Sequence, residues 1–197
     1  MEKDNIQNLL LKIGRKIVRE KGADALTVRK LSEASGCSVG AIYNQFSNMD
    51  NFILIQNYVT LENLTQCLAQ TSKISDPYVY LNELLRSFMN FVTENKNLWF
   101  LLYDFHMKES QRTYSYLYLR KIVEIGNYVK QSLEQIVPLM EKPERVLSAR
   151  VLWLCLFAVS AFAANNSLKG FSKVEENSIC QILLNTYVAG LTVLERK

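Results

Sequence analysis

Apolar side chains recur along most of this chain at steps of three and four, the spacing that gathers them on one face of an α-helix. Ile6, Leu10, Ile13 and Ile17 form the first such face. Gly22, which tolerates the left-handed conformation of a helix C-cap, ends it. Thr27 offers an N-cap oxygen to a short second helix beginning with Val28 and Leu31. Ser35-Gly36-Cys37 breaks that helix, and Ser38 caps a third whose apolar positions are Val39, Ile42 and Phe46. Ser47-Asn48 marks the next break, before a long fourth helix running through Phe52, Ile55 and Val59 toward Leu68.

The rest of the chain is built from longer segments. Pro77, suited to a first helical turn, opens a fifth helix with Leu81, Leu84, Phe88 and Phe91 on one side. A short apolar segment follows from Trp99 to Phe105. Tyr114, Tyr118, Ile122, Ile125, Val129, Leu133 and Ile136 make a long amphipathic helix ended by Pro138. Pro143 opens the eighth, apolar nearly all round from Val151 to Ala164, and Ile179, Leu183, Tyr187, Leu191 and Leu194 mark the last. No strand-like alternation of useful length appears, so the pattern predicts an all-α protein of about nine helices. It divides into a three-helix head at residues 1–47 and a larger helical domain at residues 48–197.

Composition narrows this only slightly. With 197 residues, 49% of them apolar, and a net charge of +4, the chain is too hydrophobic to stay disordered. The run from Val151 to Ala164 is shorter than the ~20 residues of a bilayer span and reads as a buried helix. Met1-Glu2-Lys3-Asp4-Asn5 lacks the basic start of a signal peptide, so a soluble, cytoplasmic protein without membrane contact is expected. Cys37, Cys67, Cys155 and Cys180 are scattered without a Cys-x-x-Cys pair, which predicts neither a disulfide framework nor a metal site.

The charge is more informative. Residues 10–46 hold Lys12, Arg15, Lys16, Arg19, Lys21, Arg29 and Lys30 against Glu20, Asp24 and Glu33, which is the whole surplus of +4. A basic head on a neutral body suits a phosphate-bearing partner. The spacing in Thr27 to Phe46, TVRKLSEASGCSVGAIYNQF, points the same way. Two short helices joined by a Gly-containing turn make a helix-turn-helix, whose second helix fits the DNA major groove. Leu31 and Ile42 must meet between the crossed helices, and Ser32, Ser35 and Cys37 are small enough to let them approach. Ser38, Gly40, Ala41, Asn44 and Gln45 leave the outer side of the second helix short and polar.

This stretch resembles the TetR family of bacterial transcriptional regulators over roughly the first 55 residues, in "TVRKL", "SGCSVGAIYNQF" and the hydrophobic restart at Phe52. The resemblance implies an all-α homodimer in which a small molecule bound to the larger domain releases the heads from a palindromic operator. It also implies that Thr27 hydrogen-bonds a phosphate, that Arg29 lies near the backbone or a base edge, and that the Tyr43 hydroxyl meets a phosphate. Ser38, Gly40, Ala41, Asn44 and Gln45 match the groove-facing positions, Asn44 being suited to adenine N6 and N7. Two departures weaken the match. Ala41 stands where the family usually has Thr, and Met49 where a phosphate-binding lysine often opens the fourth helix.

In the larger domain the resemblance implies a ligand cavity, for which Phe88, Phe91, Trp99, Tyr103, His106, Tyr118 and Trp153 are the candidate lining residues. Their aromatic faces and few polar groups would suit a small organic effector. No nucleophile–base pair, P-loop or dinucleotide Gly motif is present, so neither catalysis nor a cofactor is expected. The expected function is that of a ligand-responsive, dimeric DNA-binding repressor. Ala41 and Met49 leave one alternative, an all-α small-molecule-binding protein whose head has weakened or lost operator recognition.

Overall fold

A computed structural model describes residues 2–72, 74–107, 115–164 and 173–196. The described residues form nine α-helices: α1 (Glu2–Lys21), α2 (Val28–Ser35), α3 (Val39–Phe46), α4 (Met49–Ala69), α5 (Pro77–Glu94), α6 (Lys96–Met107), α7 (Tyr116–Ile136), α8 (Lys142–Ala164) and α9 (Lys173–Leu194). A 3₁₀ turn at Ala23–Ala25 joins the first two. Tyr114, read in sequence as the first apolar position of the seventh helix, lies outside the described residues.

Two compact units result, Met1–Glu62 with Asn95–Thr113, and Asn63–Glu94 with Tyr114–Lys197. In the first, α1 packs against α2, α3 and α6. Its core gathers Leu10, Ile17, Val18, Leu31, Ile42, Phe46, Phe52, Leu98 and Leu101. The head therefore extends beyond the three helices of residues 1–47. Phe52 of α4 packs edge-on to Phe46 at 4.8 Å, and α6 adds two leucines. Such a small helical cluster needs the added apolar area to be stable.

The second unit packs α7 against α5 and α8, and α9 against α5 and α8. Leu81, Leu84, Leu85 and Phe88 of α5 are buried with Tyr118, Ile125, Val129 and Leu133 of α7, Leu152 and Leu156 of α8, and Leu184 and Val188 of α9. On α5 and α7 these are the faces that the threes and fours of the sequence marked; on α9 the sequence marked Ile179, Leu183, Tyr187, Leu191 and Leu194, whereas Cys180, Leu184, Val188 and Leu191 are the buried row and Leu194 is exposed. At α8 the sequence expectation needs correcting. The helix begins at Lys142, next to the expected Pro143, but its apolar stretch is longer than Val151–Ala164: Lys142–Phe162 is long and apolar enough, by length and composition, to cross a membrane, with 33% of the most apolar window buried. Nor is it covered all round within one chain, because Leu147, Val151, Leu154 and Phe162 are exposed.

Candidate nucleic-acid interface

The helix-turn-helix is fixed by short-range hydrogen bonds that its own sequence supplies. Thr27 Oγ1 accepts from the Lys30 N–H at 3.2 Å and Ser38 Oγ from the Ala41 N–H at 3.2 Å, so both hydroxyls are N-caps. Gly36 ends α2 at φ 71°, a conformation that a side chain would strain. Between the helices, the Ser32 hydroxyl donates to the Cys37 carbonyl at 2.6 Å and the Cys37 N–H donates to Ser35 Oγ at 3.2 Å. Leu31 and Ile42 are fully buried where the helices cross. At the far end Ser47 closes α3 at φ 65°, and Asn48 Oδ1 caps α4 by accepting from the Asn51 N–H at 2.8 Å.

A capping hydroxyl uses its oxygen inward and keeps its proton to give. Thr27 and Ser38, both exposed, thus present O–H donors of the kind a phosphate or a base acceptor takes. On α3 the exposed residues are Val39, Gly40, Tyr43 and Asn44, while Ala41 and Gln45 are half-buried. The sequence reading placed Val39 with the apolar core positions. The structure instead leaves it 39% exposed, since at the start of α3 it stands beyond the crossing made by Ile42 and Phe46. Helix α3 carries no charge at all.

The cations come from α1 and α2. Lys12, Lys16, Arg19, Lys21, Arg29 and Lys30 are exposed. Arg29 pairs with Glu33 at 3.2 Å and Lys16 with Glu20 at 3.9 Å, exposed contacts of about 0–1 kcal/mol that a phosphate can replace at little cost. Arg15 is the exception among the seven basic residues. Its Nη1 donates to the Gln56 carbonyl at 3.3 Å and to Thr60 Oγ1 at 3.1 Å, binding α1 to α4. Burial and the nearby Arg19 charge lower its pKa to about 10. Met49, at the start of α4, is half-buried against the core of the head.

The aromatic candidates for a ligand cavity separate. Trp99, Tyr103 and His106 lie on α6, in the first unit, Trp99 fully buried and the other two half-buried. Phe88, Phe91, Tyr118 and Trp153 belong to the second. There Phe88 and Trp153 meet at 5.5 Å between ring centroids and line a seam with leucines of α4, α5, α8 and α9. Ile125, Tyr128 and Val129 close it from α7. Among the described residues of its wall Tyr128 alone carries a hydroxyl, and burial pushes its pKa up, with Tyr80 and Glu124 adding to the rise and Lys121 opposing it. The space inside is about 20 Å³, room for a water molecule, whereas ligand pockets run to roughly 300–1,000 Å³. The aliphatic wall was legible only as core periodicity, because leucines give no chemical signal of a cavity. Among the described residues no group of three or more His, Cys, Asp or Glu is placed to hold a metal.

Residues 10–54 match the family model described as bacterial regulatory proteins, tetR family. No curated protein matches the chain in sequence. Solved structures share its fold at low identity. A protein of unknown function from Rhodococcus sp. RHA1 is 15% identical, with 94% of each chain covered and a TM-score of 0.72. The transcriptional regulator FadR from Bacillus subtilis, solved with stearoyl-CoA, is 12% identical over 92% of this chain and 97% of its own, with a TM-score of 0.70. The fatty acid degradation regulator FadR from Bacillus halodurans is 13% identical over 93% and 98%, with a TM-score of 0.68.

Proposed function

We propose, from the match of residues 10–54 to the tetR family model, that the chain is a member of that family and a dimeric, ligand-responsive repressor of transcription. The observation that carries this is the α2–α3 pair itself: two capped helices, a left-handed Gly between them, and an outer α3 face of Val39, Gly40, Tyr43 and Asn44, with exposed cations on α1 and α2 of the same unit. Thr27, Arg29 and Tyr43 hold phosphates, while Asn44 reads a base edge from the groove. Ser38 and Gly40 border the same surface. Ala41 and Gln45, half-buried, make smaller contributions. A second copy covers the exposed apolar face of α8 and its neighbours on α9, Ile182, Val193 and Leu194, so that paired heads meet a palindrome.

The effector is a molecule with a long apolar portion. The seam between Phe88 and Trp153 has an almost wholly aliphatic and aromatic wall, and two proteins of the same fold are a fatty acid degradation regulator and a regulator solved with stearoyl-CoA. Because the seam now holds about 20 Å³, the effector must separate α5, α7 and α8 to enter. Such a requirement couples occupancy to helix positions, which is what a ligand-controlled repressor needs.

Selection from a pool of duplexes with randomised cores tests the reading. The protein is expected to enrich a palindrome whose half-sites lie ~34 Å apart or a multiple of that. Asn44→Ala then costs roughly 1–3 kcal/mol at one base pair per half-site, whereas Tyr43→Phe weakens all sequences about equally. Enrichment of no sequence at low salt would favour the alternative, a small-molecule-binding protein with a head that no longer reads an operator.

A further inference from the structure

Helix α3 begins with an exposed valine that is not among the residues packed on the core of the head. Val28, the first residue of α2, is half-buried against the core of the head, whereas Val39, the first residue of α3, is 39% exposed. It lies one turn before Tyr43 on the same side of the helix. Its neighbour Gly40 has no side chain, and a Cβ built there would have nothing nearer than Ser38 Oγ at 4.0 Å. The first turn of α3 therefore presents two methyl groups beside bare backbone, with no charge and little bulk around them.

We infer that Val39 is a specificity-determining residue that reads the methyl group of a thymine. The inference rests on the reading of α3 as the groove helix. Residues at the N-terminal end of such a helix are the ones that reach base edges. Valine has neither donor nor acceptor on its side chain, so it cannot read the hydrogen-bonding pattern of a base pair. The major groove offers one apolar group, the C5-methyl of thymine. Val39 meets that methyl by shape and by excluding water, and it disfavours a cytosine at the same position, whose amino group it would leave without a partner.

Deoxyuridine, which is thymidine without the methyl, provides the test. A palindrome is first selected from the randomised duplex pool with the wild-type protein. Each thymidine of one half-site is then replaced singly by deoxyuridine, and binding of the wild type, Val39→Ala and Val39→Thr is measured. Val39 is exposed, so the variants are expected to melt as the wild type does. For the wild type one replacement weakens binding about four-fold, the effect of losing one buried methyl-sized group. Val39→Ala binds the thymidine and deoxyuridine duplexes equally at that position and keeps its sensitivity elsewhere. A half-site without thymine, or wild-type binding indifferent to every replacement, overturns the inference while leaving DNA recognition intact. So does a Val39→Ala protein that retains the four-fold difference. Failure to enrich any sequence overturns both this inference and the DNA-binding reading.

Discussion

Thr27 and Ser38 show how one hydroxyl can start a helix and still keep a proton to donate. The oxygen of each accepts a backbone N–H and fixes where a helix begins, which leaves an outward O–H whose position is set by that cap. Met49 raises a similar question at the start of α4. Its thioether is half-buried on the core of the head, and a lysine there would lay its methylenes over the same surface and put its ammonium in solvent. Helix polarity disfavours a cation at that end by ~0.3–1 kcal/mol, so Met49→Lys should lower the melting temperature slightly. In a dimer it adds two phosphate contacts, and the slope of log affinity against log salt should steepen by about 1.8. An unchanged slope with folding preserved would place the start of α4 away from the phosphates.

Among the elements, α1 meets α4 at a glycine. Gly14 of α1 faces Phe52, and a Cβ built there would stand 2.5 Å from Phe52 Cζ and 2.8 Å from Cε1. Phe52 is fully buried and packed edge-on to Phe46, so it has no free space to move into. Around this contact the Gln56 amide donates to the Leu11 carbonyl at 2.7 Å, and Arg15 reaches Gln56 and Thr60. Gly14→Ala should add about 1–3 kcal/mol of overpacking against about 1 kcal/mol of improved helix propensity, for a net fall in melting temperature. Gly126, within α7, is the control. Nothing lies within 4 Å of a Cβ there, so Gly126→Ala should gain about 0.8–1 kcal/mol and raise the melting temperature by ~2–4 °C. Equal effects of the two substitutions, read by thermal melting, would remove the close contact as the explanation.

For the whole molecule, the exposed residues of α8 set the question of assembly. Leu147, Val151, Leu154 and Phe162 follow one another at steps of four, three and eight along one side, and Leu154 is 64% exposed. A helix this apolar is stable in water only when most of its surface is covered. Pairing with a second copy meets that need, and Leu154→Glu should then convert a dimer into a monomer in sedimentation while leaving the helical content unchanged. It should also abolish binding to a palindrome but not to DNA in general, since each head keeps its cations. Sedimentation of the wild-type protein as a monomer at micromolar concentration would refute the pairing.

The helices, their order and the helix-turn-helix follow from the amino-acid pattern alone. These depend on local spacing, caps and left-handed glycines, whose energetics are settled within a few residues: Thr27 caps α2, Gly36 ends it and Ser38 caps α3 as expected. The basic surplus was also legible, because charge needs no partner to be counted. Which side chains turn inward was settled by packing between elements. It exposed Val39, drew Arg15 toward α4, half-buried Met49 and brought α6 into the core of the head. The same apolar residue or long cation fits an inner or an outer position equally well in a helical pattern, and the choice is made by the neighbour that packs beside it. The aliphatic seam at Phe88 and Trp153 belongs to this second group, since its walls come from five helices that only folding brings together.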